Sequence, residues 1–526
     1  MWQANWLFSG IKGDGMKKTV KTVKKEYAIW IFVLLVFVFY LSWALAAPFD
    51  ASPDESMRYQ IVEFIVKHGT LPDGRDPEIR NANWGISYAF NPILPYMAGA
   101  VFAKVVQVFT DSFRATVIAA RMVNVLLGCG MAWFTWKIGE LLFRKKETGR
   151  LFAVLVCFLP GTCFLFSYIN TDGLALFTTA WILYCWCRAC KEGWTLKVCV
   201  QMGIAMGLCM LSYYNAYGYL LMSAVFFAGC MMKCGEQKWD WQQLLKKGCL
   251  MLGIVFLVAG WWFIRSGILY DGDFLGMKTS SIYAEKYAID ELKPSNRVLP
   301  VNMGMSVLDM IWWVPGEWQH NWLVTVLVSF VGTFGHLDIF MPYLWSKVYL
   351  IVFAVGILGN SWRLRREFCL TTEFVKKEKK ADADGILITE IWRKNRWWNM
   401  RNWMHICMVG AMVIPVGLLV YYAYASDFQA QGRYIMPMAL PFFYFVTLGY
   451  ENWSEKLIRN EKISIWICFI NNISLRSFKP KLVHVKFFDT FNKYCINTTI
   501  IIFFHITRCF TPLVKFSYNL CTSSIR

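Results

Sequence analysis

The sequence predicts an all-α, polytopic membrane protein, and three observations carry that reading. Hydrophobic residues make up 57% of the 526-residue chain and charged residues only 17%, a balance too apolar for a soluble globular protein. Apolar runs of about 17 to 25 residues, each able to cross roughly 30 Å of hydrocarbon as a helix, recur from Ala28 to Tyr450. The formal charge of +19 is divided among the segments between those runs instead of forming one stripe, which argues for membrane topology and against nucleic acid as a partner. About 10–12 transmembrane helices are expected, surrounded by membrane lipids, with an interfacial amphipathic helix in the first external loop.

Taken in order, residues 1–27 form a basic amino terminus, 28–450 a multi-spanning domain and 451–526 a carboxy-terminal tail. Basic clusters at Lys12–Lys25, Phe143–Arg150, Lys233–Gly248 and Arg363–Arg401 are cytoplasmic by the positive-inside rule, the last of them within a basic loop at 361–403. The first span, Ala28–Ala46, is too long for a signal-peptide core and is read as retained. It delivers residues 47–88 to the outside, where acids outnumber Lys and Arg. The next apolar segments lie at 90–109 and 116–142. Because only an odd number of crossings returns 144–150 to the inside, and Pro92 and Pro95 interrupt the first segment, that segment is expected to be re-entrant or interfacial. Further spans are expected near 151–168, 174–190, 198–213, 217–232, 249–265, 343–360, 404–424 and 435–450. This alternation sends "SYINTDG", "SYYNAYG", a large loop at 266–305, "FGHLDIFMP" and "SDFQAQGRY" to one side. Chemistry-capable side chains then gather outside, with plain basic linkers inside.

The seventeen cysteines avoid the external segments, so no disulfide framework is implied. "CWCRAC" (Cys185, Cys187, Cys190) ends an apolar helix without a second ligand set and reads as packing rather than metal binding. From Glu461 onward the chain contains no Gly, Ala or Met. A lineage-specific tail or translation in an altered frame would each produce such a shift, and no function is assigned there.

The stretch "SPDE" opening the first external loop reads as a capping box, with Ser52 as N-cap, Pro53 first, Asp54 second and Glu55 third. The following "SMRYQIVEFIVKHG" places Met57, Ile61 and Ile65, with Val62 and Val66 beside them, on one face and stops at Gly69. Such a helix lies along the membrane surface. Local structure alone can explain these acids; within a capping box Glu55 folds back on the N-cap amide, whereas Asp54 has no structural task.

In order along residues 28–450, "PDESMRYQIVEFIVKHGTLP", "NPILPYMAGAVF", "AARMVNVLLG", "LFSYINTDGLALF", "GWWFIRSGILYDGDFLG", "FGHLDIFMP" and "QGRYIMPMALP" resemble the GT-C superfamily of integral membrane glycosyltransferases, in its bacterial branch related to protein mannosyltransferases and aminoarabinose transferases. The resemblance implies transfer of a sugar from a polyprenyl-phosphate donor to a glycan, lipid or protein acceptor, outside the cytoplasm at a bacterial plasma membrane. It makes Asp54 the candidate base, with Glu55 and Asp172 as further catalytic candidates. Transfer needs a carboxylate that can take a proton from an acceptor hydroxyl, and fixed positive charge where the phosphate leaves. Arg265 and Arg433, each expected at the external end of a span, are candidates for that charge. Asn91, Gln431 and Arg121 complete the substrate-binding set. Arg121, expected well inside a span, must face a partner or a cavity, because an unpaired guanidinium in hydrocarbon costs at least about 2.5 kcal/mol.

Where several relatives carry a lysine, this chain has Tyr213 and Tyr214. A divalent metal ion stays open as a cofactor through His336 and the first-loop acids, although the six histidines show no ligand spacing. Two other classes compete. A transporter or flippase would need a midplane polar site and paired repeats, neither of which is evident; a non-catalytic component of polysaccharide assembly would need the acids only as caps.

Overall fold

The computed structural model describes residues 13–233, 238–316, 318–370, 372–381, 387–396 and 399–458; the tail from Glu461 onward lies outside them. The architecture is helical. In chain order the helices are α1 (Gly13–Ala46), α2 (Glu55–His68), α3 (Leu94–Gln107), α4 (Phe113–Leu142), α5 (Lys146–Cys157), α6 (Pro160–Leu165), α7 (Asp172–Glu192), α8 (Leu196–Met210) and α9 (Gly218–Cys230). They continue with α10 (Trp241–Leu269), α11 (Met277–Tyr287), α12 (Val307–Trp312), α13 (Trp322–Gly332), α14 (Tyr343–Leu358), α15 (Leu364–Phe368), α16 (Met400–Ala425) and α17 (Ala439–Ile458). Strands are limited, among the described residues, to three two-stranded antiparallel pairs.

Among the described residues, six stretches are long and apolar enough to cross a membrane: Tyr27–Ala46, Phe113–Leu142, Asp172–Glu192, Trp241–Leu269, Tyr343–Phe368 and Met400–Ala425. The protein is an all-α polytopic membrane protein. The other expected spans are present as shorter or broken helices. Pro160 separates α5 from α6, because it carries no amide hydrogen and favours the first turn of a new helix. Gly432–Met438, with Pro437 inside it, is a 3-10 turn leading into α17. α13 is an apolar helix absent from the expected list.

The segment at 90–109 forms α3, whose 14 residues rise about 21 Å, short of the roughly 30 Å core. It doubles back into α4 through residues 108–112, with Gly99 against Ala120. α3 therefore pairs only with the first half of α4 and does not reach the opposite end of the bundle.

Polar chemistry divides between the two ends. At one, Arg144 and Arg363 both pair with Glu455 of α17 (3.1 and 2.7 Å), and the amides of Arg144 and Lys145 donate to Glu451. At the other end lie the first loop, the 167–172 turn, the 211–217 turn and the 426–434 segment. Between the ends the core is apolar and closely packed. Gly139 of α4 meets Gly149 of α5 so closely that an added Cβ at either position would stand 2.5–2.6 Å from the other's carbonyl oxygen. Small residues of this kind let membrane helices approach backbone to backbone.

Candidate active site

The first loop reaches α2 through a turn that differs from a capping box. α2 starts at Glu55 and its N-cap is Asp54, in the left-handed region (φ 58°) with no side-chain cap of its own. The Ser52 hydroxyl is buried without a partner. It is Asp50, itself at positive φ, whose carboxylate accepts from the Ser56 amide at 2.9 Å. A left-handed aspartate costs less than other side chains because its short polar group bonds locally, yet the conformation is sparsely populated and persists only where the surroundings hold it. Here the Asp54 carboxylate makes no cap to the helix it precedes. Gly69 ends α2 as expected, at φ 69°.

Glu55 and Arg121 form a pair of a different kind. Glu55 is fully buried and Arg121 is 1% exposed. Arg121 Nε donates to Glu55 Oε1 (2.8 Å) and Nη2 to Oε2 (2.7 Å). Its remaining donors are taken by the carbonyls of Ala44, Ala47 and Pro48 at 2.7–2.9 Å. Glu55 also accepts from the amides of Asp50 and Ile169 (both 3.2 Å). With all five guanidinium N–H groups engaged, neither side chain has capacity left for a substrate. Glu55, expected as a catalytic candidate, and Arg121, expected as a substrate contact, are thus engaged with each other and with backbone groups. The pair bolts the end of α1, the first loop, α4 and the 169 turn together.

Asp54 is the carboxylate that remains. Its side chain is 27% exposed, and Oδ2 accepts from the Tyr88 hydroxyl at 2.8 Å. Arg58, one helical turn along α2, stands 3.6 Å away, and Arg433 3.5 Å away. Burial opposes the charge, but Arg58, Arg433 and the Tyr88 hydroxyl outweigh it and hold the carboxyl below its ordinary value of 3.8. Arg58 is itself buried, bonded to the Pro53 carbonyl (3.0 Å) and stacked over Tyr88. Arg433 keeps Nε and Nη1 buried with no partner, a costly state unless a ligand supplies acceptors. Asp172 begins α7 and is 4% exposed.

Two small clefts, of about 10 and 20 Å³, are walled by neighbours of Asp54. One is lined by Tyr88, Asn91, Tyr96, Thr171 and Tyr213, among others. The other runs past Pro53, Phe164, Leu165, Gln431, Arg433 and Met436. Asn91, Gln431 and Arg433 thus stand in cleft walls. Gln431 has its carbonyl oxygen buried and unpartnered. Arg265 is not brought to this site: it donates to the Pro72 carbonyl at 2.8 Å and stacks on Trp262. His336 is exposed, with Nε2 2.8 Å from the Asp50 carbonyl. Two guanidiniums beside Asp54 occupy the place a dication would need, so the residues around this carboxylate do not form a metal-holding set.

Arg58, Tyr88 and Tyr96 were missing from the sequence-derived set. Arg58 had a usable signal. It falls one turn from Asp54 on the apolar face with Met57, Ile61 and Val62, and a charge on such a face needs a partner. Tyr88, joined to Asp54 only by tertiary folding, gave none, and neither did Tyr96.

Several solved structures are similar to the chain. The Archaeoglobus fulgidus oligosaccharyltransferase in its apo form matches at 13% identity and a TM-score of 0.49, over 91% of this chain and 54% of that one. Archaeal oligosaccharyltransferase AglB from the same organism, in complex with an inhibitory peptide and a dolichol-phosphate, matches at 11% identity and a TM-score of 0.46, over 91% and 54%. ArnT from Cupriavidus metallidurans bound to undecaprenyl phosphate matches at 12% identity and a TM-score of 0.46, over 92% and 72%. The chain spans about half the length of the oligosaccharyltransferase chains. No curated protein matches the chain. The family model described as "Predicted membrane protein (DUF2142)" matches residues 78–441, well over half of the sequence, and the chain belongs to that family.

Proposed function

We propose that this protein is a membrane glycosyltransferase that moves a sugar from a polyprenyl-phosphate donor to an acceptor hydroxyl on the extracytoplasmic side of a bacterial plasma membrane, with Asp54 as the base. The observation that carries the reading is a carboxylate on a left-handed backbone, held by the Tyr88 hydroxyl and two guanidiniums. One of these, Arg433, keeps two nitrogens, Nε and Nη1, buried without a partner.

The chemistry follows from that placement. Asp54 takes the proton of the acceptor hydroxyl while that oxygen forms a bond to the anomeric carbon. The bond from that carbon to the phosphate oxygen breaks on the opposite face, giving inversion, and the electron pair leaves with the polyprenyl phosphate. Arg433 meets the charge developing on the leaving group. The apolar wall of its cleft, Phe164, Leu165 and Met436, suits a donor whose tail stays in hydrocarbon. Asp172 and Arg58 set the field around this centre rather than touching the reacting atoms.

The test is transfer from radiolabelled polyprenyl-phosphate sugars by the purified protein. Asp54→Asn, which tolerates the left-handed backbone, is expected to lower transfer by about 10²- to 10⁴-fold in a protein that still folds and inserts. Transfer at the native rate by this variant would remove Asp54 from the mechanism.

A further inference from the structure

Residues 298–314 run out of the large loop and through α12. Among them Val298, Met303, Leu308, Trp312 and Val314 are exposed, Leu308 to 68% and Trp312 to 63%. Asp309 is the only charged residue in the stretch, and its carboxylate is occupied at the start of α12, where it accepts from the Ser306 amide (2.9 Å) and hydroxyl (2.7 Å). Leu308 and Trp312, four residues apart, share one face of α12, whereas Met310 on the opposite side is fully buried. The stretch is fixed to the bundle. The Val301 amide donates to the Tyr424 carbonyl (3.3 Å), the Tyr424 hydroxyl donates to the Met305 carbonyl (2.9 Å), and the Trp313 ring lies against Phe428 with centroids 4.9 Å apart. Tyr424 stands in the last turn of α16, a span whose Val413, Leu418 and Tyr421 are likewise exposed.

We infer that residues 298–314 are seated in the membrane, at the headgroup and upper acyl level of the leaflet on the Asp54 side, with lipid as the partner of Leu308 and Trp312. The inference concerns attachment and does not depend on the chemistry at Asp54. Apolar side chains exposed singly are ordinary on a water-facing loop, but a run of them is not. Here the run continues the exposed apolar surface of α16, to which the stretch is bonded, and so stands where hydrocarbon gives way to headgroups. Tryptophan favours that level because its ring is apolar and its N–H polar. An apolar helix face with a polar flank, here Asp309, sinks about 5–10 Å into such a boundary. A second copy of the chain is the poorer occupant, because it would displace lipid from the adjoining α16 face with no gain in hydrophobic burial. Through Tyr424 and Phe428 the seated stretch braces the 426–434 segment, which carries Arg433.

The test is carbene labelling of the full-length protein in nanodiscs of palmitoyl-oleoyl phosphatidylethanolamine and phosphatidylglycerol, doped with a phosphatidylcholine that carries a diazirine on its acyl chain close to the glycerol. After photolysis and digestion, mass spectrometry reads the lipid adducts peptide by peptide. Adducts on the peptide with Leu308 and Trp312 are expected to exceed several-fold those on the charged stretch 290–296. Phe256 and Leu257, exposed on the span α10, are the positive control. In the double variant Leu308→Asp, Trp312→Asp the adducts at 298–314 are expected to fall several-fold, while those on α10 persist and report a folded, inserted protein. Three results would each overturn the inference: labelling of α10 with none at 298–314 above the 290–296 background, labelling at 298–314 that the double variant leaves unchanged, and labelling present in discs holding one copy but lost in discs holding two.

Discussion

The neighbours of Asp54 oppose its protonation, which is what the proposed base role needs. Its carboxyl is held below 3.8 against the effect of burial, so the ionised, base-competent form persists above that lowered value. Activity should then lose its acid limb only below the usual carboxylate range. Arg433→Gln removes one of the two guanidiniums, and the limb in the pH profile of kcat/KM should move upward; an unmoved limb would show that Arg433 does not act on this group. The same linkage has a stability side. The contribution of the ionised carboxylate is fully present above the ordinary value and is lost as pH falls through the lowered one. Tyr88 adds no titration of its own near neutrality, since burial foremost pushes its hydroxyl well above the usual 10.

For the elements, the Glu55–Arg121 pair determines where α2 sits. Replacing Arg121 with Leu leaves a buried, unpaired carboxylate and three carbonyls without donors. Its expected cost is about 3–5 kcal/mol, read as a lowered midpoint of thermal unfolding in detergent, whereas Asp54→Asn, which gives up one partly exposed charge, should lower the midpoint by less. An Arg121→Leu protein with an unchanged midpoint would contradict the structural role. These two adjacent acids show what was legible in the sequence. That "SPDE" opens a helix could be read from local spacing. The capping box could not be distinguished from the observed turn, because Arg121 lies in another helix and its attraction for Glu55 is tertiary. Long apolar helices such as α1, α4, α7 and α16 were legible because length and hydropathy are properties of the segment itself. The short α13 and the break before α6 depend on what neighbouring helices cover, which periodicity does not record.

At the scale of the whole molecule, the Arg144–Arg363–Glu455 cluster and the Asp54 site stand at opposite ends of the bundle. If the positive-inside rule sets the orientation, a cysteine placed at exposed Asn83 should react with a membrane-impermeant maleimide in intact cells. One placed at exposed Arg150 should react only after permeabilisation. The reverse pattern would put the site in the cytoplasm. Arg433 has another consequence, which concerns the order of synthesis. Asp54, Arg58 and Tyr88 emerge early, but Arg433 arrives only with the segment that leads into α17. A growing chain therefore carries Asp54 with a single guanidinium partner until nearly all the described helices have been made. The carboxylate acquires its full setting at the end of assembly, so an incompletely synthesised copy would present the acid without the second charge that makes it a poised base.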